Sequence, residues 1–384
     1  MKKMIEGSMA VALAVKMCRP GVVSAYPITP QTHIVEYLAD FFDNGEAVYD
    51  YVRAESEFAA ASIALGASAA GVRSYTATSS QGLLLMTEVL FNIAGMRLPI
   101  VLTCANRAVS APINIWNDHE DAMTVRDSGW IMLFAEDNQE ALDLHLQAFN
   151  IAEATRLPVM VNFDGFVLTH TFEPVDVPEQ KLADRYVRKF TPPPGEFLDP
   201  KKPRTLGHLA FPDDYFLVRK QLHEDLIKSQ ETIKKEFLKF KKIFNRGLGS
   251  GLVEYIGRGN EKMVVVAMGS VVGTIKNQKS KIKNQKFGRF AGDFGILKIR
   301  TFRPWPEAEI LNALESVKRV LVLDKAISLG AGGILADEIR KTVQGKLNCE
   351  VKSFIGGLGG KDITEEMIGK MINDKGEARE VFLE

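Results

Sequence analysis

One feature constrains the fold more than any other: short apolar runs, each closed by turn-forming residues and each followed by a helix-like stretch. In the first part of the chain the apolar runs at 22–25, 99–104 and 158–163, together with 48–53 and 74–78, read as strands. The Ala-rich 57–71 and the apolar 83–94 read as helices between them. Within 57–71, Gly66 and Gly71 permit a close approach or end the helix. Strands alternating with helices imply a parallel sheet covered on both faces. In such sheets the functional groups gather in loops beyond the carboxyl ends of the strands. Three loops qualify, at 26–30, 79–82 and 105–117. The first, Tyr26-Pro27-Ile28-Thr29-Pro30, is stiffened by its two prolines.

Further along, Pro192-Pro193-Pro194, Pro200, Pro203 and Pro212 mark a linker or surface strap over 191–214. It leads into a helix over 215–244, whose Val218, Leu222, Leu226, Ile233, Phe237, Phe240 and Phe244 form one apolar stripe. Such a stripe fits an amphipathic helix packing on a neighbouring domain or subunit better than a short coiled coil. A second α/β unit opens near Glu261, with strands at 263–268, 295–301 and 320–323. The expected division is therefore 1–190, a linker and long helix over 191–258, and 259–384. The segment 275–286 contains Ile-Lys-Asn-Gln-Lys twice, which on a helix places Ile275 and Ile282 on one face beneath a lysine-rich, solvated surface.

Charge excludes some partners. Forty-eight basic side chains balance 48 acidic ones, so no electrostatic footprint for nucleic acid is present. The lysines of the repeat also lack interleaved aromatics. No apolar run is long enough to span a bilayer. The opening Met1-Lys2-Lys3-Met4-Ile5-Glu6-Gly7 does not read as a secretory leader, and a cytoplasmic protein is expected. Cys18, Cys104 and Cys349 are far apart and form no C-x-x-C pair. They read as buried, reduced thiols, not as a disulfide framework or a cluster site within this chain.

Several residues could carry chemistry. Glu57 enters an apolar helix, where a carboxylate is costly to bury without a partner. As a first-turn acid it could equally serve the helix dipole, and Glu55 competes for any role. Arg107 follows a strand's carboxyl end, where a guanidinium can hold a substrate carboxylate in two hydrogen bonds or simply form a salt bridge. Thr29 sits between prolines with its hydroxyl fixed, unless it is only a turn residue. Asp118-His119-Glu120-Asp121 superficially suggests a metal cluster. Consecutive side chains diverge, however, and no second histidine stands at ligand spacing, so no metal is expected there. Gly330-Ala331-Gly332-Gly333 and Gly356-Gly357-Leu358-Gly359-Gly360 are weak phosphate-loop signals, lacking a Walker lysine and serine or a dinucleotide spacing.

Taken in order, Tyr26–Pro30, Ala54-Glu55-Ser56-Glu57, Thr78-Ser79-Ser80-Gln81-Gly82-Leu83, Asn106-Arg107-Ala108 and Asp118–Asp121 resemble the alpha subunit of the pyruvate:ferredoxin oxidoreductase family. Ala267-Met268-Gly269-Ser270, Arg303-Pro304-Trp305-Pro306 and the glycine-rich 355–360 extend the likeness over nearly the whole chain. The resemblance implies an α/β fold: a pyrimidine-binding, parallel-sheet thiamine domain, then a C-terminal transketolase-like α/β domain. It also implies oxidative decarboxylation of pyruvate to acetyl-CoA and CO2, with electrons passed to ferredoxin. The family's catalytic glutamate hydrogen-bonds the aminopyrimidine of thiamine diphosphate and precedes a glycine by nine positions. Glu57 and Gly66 keep that spacing, which selects Glu57 over Glu55. By the same carry-over Thr29 and Arg107 contact cofactor and 2-oxoacid, with Arg107 on the carboxylate. This chain shows no G-D-G followed by an asparagine. The diphosphate and its Mg2+ are therefore expected on a beta subunit, and [4Fe-4S] clusters on partner chains, with gamma and ferredoxin-like delta subunits completing the complex. Coenzyme A is the expected co-substrate. A 2-oxoisovalerate or 2-oxoglutarate enzyme and a non-catalytic scaffold subunit are the competing readings. A nicotinamide enzyme is disfavoured by the missing G-x-G-x-x-G.

Overall fold

A computed structural model describes residues 2–284 and 294–384. Its first sheet follows the order 301–303, 131–134, 159–164, 101–106, 74–78, 22–25, 50–53. The interior pairings are all parallel, and only Thr301–Arg303 runs antiparallel, at the edge beside Ile131–Phe134. Strands such as Val101–Asn106 and Val159–Asp164 are buried along their whole length, as expected of a parallel sheet covered on both faces. The helices Gly7–Cys18 and Asn138–Thr155 pack together over one of its faces.

The second sheet has the order 380–382, 350–355, 319–324, 263–267, 294–299, 253–256. Val253–Ile256 is its antiparallel edge, so a strand of the second unit lies at the end of the segment read as linker and helix. The expected strand over 295–301 also divides. Phe294–Ile299 stays in the second sheet, while Thr301–Arg303 crosses to the first. The break falls at Arg300, whose carbonyl accepts the Phe134 amide at 2.8 Å and whose buried guanidinium pairs with Glu140 and Glu254. Long-range ion pairing, invisible to strand periodicity, thus coincides with the point where the chain changes sheets.

Other differences are local. The helix over 83–94 is two helices, Ser80–Leu85 and Thr87–Gly95. Thr87 Oγ1 donates back to the Leu84 carbonyl at 2.7 Å, a bond that competes with continuous helix. The Ala-rich helix runs Glu57–Ala69 and stops just ahead of Gly71. A Cβ added at Gly66 would meet open space, so within this chain that glycine serves no close approach. The long helix is Pro212–Phe244, with proline in its first turn. Its Leu222, Ile233, Phe237, Phe240 and Phe244 are buried, while Val218 is exposed. It packs on Asn138–Thr155, and Tyr186 meets Phe240 edge-on.

The lysine-rich repeat lies on the helix Val271–Asn284. Ile275 is buried, but Lys276 turns inward to Glu136 at 2.7 Å and Lys279 is buried too. That face is therefore not simply solvated; Lys276 answers an acidic cluster on the first unit. The Ile282 side chain and residues 285 and 286 lie outside the described residues. Cys18 and Cys104 are buried, whereas Cys349 is only half-buried. Among the described residues no helix is long and apolar enough to cross a membrane.

Candidate active site

Three strands of the first sheet end at one place. Val22–Ala25 delivers the 26–31 loop, Ser74–Thr78 the 79–82 turn, and Val101–Asn106 the loop beginning at Arg107. Ser56 is extended and caps the Glu57–Ala69 helix, its Oγ accepting the Ala59 amide at 3.1 Å. The cap sets Glu57 at the first helical position and turns it inward. Glu57 is 8% exposed, whereas Glu55 is an exposed residue. The carboxylate lies against Gly82: a Cβ there would stand 2.7 Å from Glu57 Oε1.

Nothing among the described residues donates a hydrogen bond to that carboxylate. Beside it, Thr78 Oγ1, Ser79 Oγ and Gln81 Nε2 are buried without partners. Ser80 follows with φ +46, a left-handed conformation uncommon for non-glycine residues. Buried polar groups are normally paired, and these three side-chain atoms are exceptions.

The structure brings Arg107 and Thr29 into contact. Arg107 is buried; its Nη1 donates to the Thr29 carbonyl at 3.0 Å and its Nε to the Asn114 carbonyl at 2.8 Å. Burial lowers the Arg107 pKa, partly offset by Asp121, and the guanidinium remains cationic. Its Nη2 has no acceptor among the described residues. The Thr29 side chain is exposed. Asp121 joins this loop to the 79–82 turn by accepting the amides of Arg107 at 2.9 Å and Ser80 at 3.0 Å. Burial raises the Asp121 pKa, while those amides and Asn106 oppose the rise.

The Asp118–Asp121 segment spreads its side chains to different partners. Asp118 accepts the Gly359 amide at 3.0 Å, and burial pushes its carboxyl up to about 7. His119 Nε2 pairs with Asp164 at 2.8 Å. Asp164 in turn meets Lys325 Nζ at 2.7 Å and both the amide and the hydroxyl of Ser270. Burial alone would raise the Asp164 pKa, but Lys325 and His119 hold it well below the ordinary carboxylate range. Asn114, Asn117, Asp164 and Lys325 escape the sequence reading. One signal is available for two of them: Asp164 closes and Lys325 directly follows a buried apolar strand. The 356–360 motif serves as packing for the 114–118 loop. Gly359 and Gly360 have φ +58 and +81, and a Cβ on Gly360 would stand 2.3 Å from Trp116 Cβ.

The pieces define an α/β enzyme unit with a buried, unpartnered carboxylate at the carboxyl edge of a parallel sheet. Family-level comparison narrows the class. Residues 13–237 match the family described as pyruvate flavodoxin/ferredoxin oxidoreductase, thiamine diphosphate-binding, and residues 262–368 match pyruvate:ferredoxin oxidoreductase core domain II. The chain belongs to the pyruvate:ferredoxin oxidoreductase family. It is 47% identical over 383 residues to pyruvate synthase subunit PorA of Methanosarcina barkeri, covering 97% of this chain and 92% of that one. It is 38% identical over 382 residues to ketoisovalerate oxidoreductase subunit VorA of Pyrococcus horikoshii, covering 97% and 93%. A solved 2-oxoglutarate:ferredoxin oxidoreductase from Magnetococcus marinus, with 2-oxoglutarate, coenzyme A and succinyl-CoA bound, shares the fold. It aligns with a TM-score of 0.72 at 20% identity, over 97% of this chain and 65% of that one.

Proposed function

We propose that this chain is the alpha subunit of a pyruvate:ferredoxin oxidoreductase, which converts pyruvate and coenzyme A to acetyl-CoA and CO2 and passes electrons to ferredoxin. The observation that carries the reading is the Glu57 carboxylate, nearly buried and without a hydrogen-bond partner among the described residues. A heterocyclic nitrogen donor supplied from outside would satisfy it, and the aminopyrimidine of thiamine diphosphate has that chemistry.

When bound, thiamine diphosphate supplies a carbon nucleophile for the keto carbon of a 2-oxoacid. Glu57 holds the proton at the pyrimidine ring that makes this possible, as general acid–base catalysis requires. Arg107 offers Nη2 to the substrate carboxylate while its other nitrogens stay anchored. Thr29 stands beside it to hydrogen-bond near the carbonyl. In this reading 1–190 is the pyrimidine-binding domain and 259–384 the transketolase-like domain. The diphosphate with its Mg2+ belongs to a beta subunit. The [4Fe-4S] clusters belong to partner chains among the beta, gamma and delta subunits.

Pyruvate is favoured because the PorA relatives reach 41–47% identity and the VorA relatives 38–39%. The test is a co-purified complex assayed for coenzyme A- and thiamine-dependent reduction of a low-potential dye, with pyruvate, 2-oxoisovalerate and 2-oxoglutarate in parallel. Pyruvate is expected to turn over best, and Glu57→Ala to lower the rate by about 100-fold or more. Preference for another oxoacid overturns the substrate; an undiminished Glu57→Ala complex overturns the catalytic reading.

A further inference from the structure

We infer that the second α/β unit sets the position of Arg107, through a buried clamp centred on Lys325. The inference rests on the proposed role of Arg107 as the substrate-carboxylate ligand. Two separate ties support it.

The first runs through Asn117. Its side-chain amide donates to the carbonyl of Asn106, the residue just before Arg107, at 3.2 Å. Its Oδ1 accepts from Lys325 Nζ. Lys325 follows the strand Arg319–Asp324 of the second sheet, and its own carbonyl accepts the His119 amide at 2.8 Å. The ammonium is buried and also pairs with Asp164 at 2.7 Å. One residue of the second unit thus grips the 107–119 loop near its carboxyl end at two points and anchors to the first sheet at a third.

The second tie acts on Arg107 itself. Asn114, whose carbonyl accepts Arg107 Nε, donates its side-chain amide to the Gly359 carbonyl at 3.0 Å. Gly359 returns its amide to Asp118 at 3.0 Å. Arg107 is therefore held by an acceptor that the second unit holds. Such support matters because a displacement of about 1 Å at a substrate-orienting group costs on the order of 100-fold in rate. A buried amine with several acceptors also fixes geometry more tightly than an exposed one. Lys325 and Asn114 are positioning residues; neither is placed in contact with substrate.

The experiment uses the assembled complex carrying Lys325→Met or Asn114→Ala. In Lys325→Met, Asp164 keeps His119 and Ser270 as partners. Asn114 is at a part-buried loop, so its variant carries the test if the buried substitution fails to assemble. Each variant is expected to raise the KM for pyruvate about tenfold or more, with a smaller fall in kcat. The KM for coenzyme A should stay within about twofold. Hydrogen–deuterium exchange over 107–119 should accelerate while the first sheet keeps its protection. Wild-type values for both pyruvate KM and loop exchange overturn the clamp. So does a loss spread evenly over both substrates and the whole chain, which is what a merely structural role produces. If wild-type complex fails on pyruvate, the substrate reading falls, and exchange over 107–119 still decides the clamp.

Discussion

Gly82→Ala isolates the contact on which the site depends. The new Cβ would lie 2.7 Å from both Cγ and Oε1 of Glu57 and 2.4 Å from Thr78 Oγ1. Ordinary contact begins at 3.4 Å, so the carboxylate must retreat by about 0.7 Å. The Thr78 Oγ1 contact is tighter still and needs about 1.0 Å of relief, so Thr78 must turn aside as well as Glu57. A shift approaching 1 Å at a proton-handling group is worth on the order of 10- to 100-fold in kcat/KM. Overpacking costs about 1–3 kcal/mol of stability. The assay is dye reduction by the complex, paired with thiamine diphosphate titration and thermal melting. Gly82→Ala and Glu57→Ala should be strongly non-additive, because both act through one carboxylate. Full activity in Gly82→Ala, or losses that multiply in the double variant, would refute the contact's importance. Gly273→Ala is the matched control. Its Cβ meets only Glu136 Oε1, at 3.9 Å, and within its helix the change should stabilise by up to about 0.5–1 kcal/mol.

Two further outcomes concern the frame around the site. Phe240, buried between Tyr186 at 5.3 Å and Phe244 at 4.3 Å between ring centroids, should cost about 3–5 kcal/mol when truncated to alanine, read by urea unfolding. Glu140 accepts from Lys298 Nζ at 2.7 Å and Arg300 Nε at 2.6 Å. Burial would raise its pKa, but the two cations hold it down to about 2 from an ordinary 4.5. A depressed carboxyl contributes stability that is complete above the unfolded value and is lost as pH falls toward the folded one. Wild type should therefore lose more stability than Glu140→Gln between pH 5 and pH 2, although the variant starts about 3–5 kcal/mol lower. Thermal melts of both proteins across that range give the comparison.

Much of the sheet edge is legible in the amino-acid sequence itself. The strands ending at Ala25, Thr78 and Asn106 are short strand-forming runs stopped by turn residues, so the loops that carry Thr29, Gly82 and Arg107 can be placed directly. Residue type alone does not separate Glu57 from Glu55; family spacing does, and the Ser56 cap gives the physical reason. The interior ion network stays hidden. Lys298 and Arg300 interrupt an apolar strand and meet Glu140 across about 160 positions of chain. Local periodicity carries no record of such a pairing. The 356–360 glycines are likewise readable as permissive backbone, but their partner, the 114–118 loop, is set only by how the two sheets face each other.

The two key carboxylates at this sheet edge differ in a way that divides the edge itself. Asp164 ends a strand beside the second unit and is met by a lysine, a histidine and a serine, all from this chain. Glu57 stands behind the opposite edge strand, Asp50–Arg53, with no such donor among the described residues. Phe58, next to Glu57, and Leu85, at the end of the Ser80–Leu85 helix, are 41% and 52% exposed. One half of the edge is closed by the chain's own second unit. The other half, holding Glu57, has the composition expected if the proposed beta subunit and its thiamine diphosphate close it.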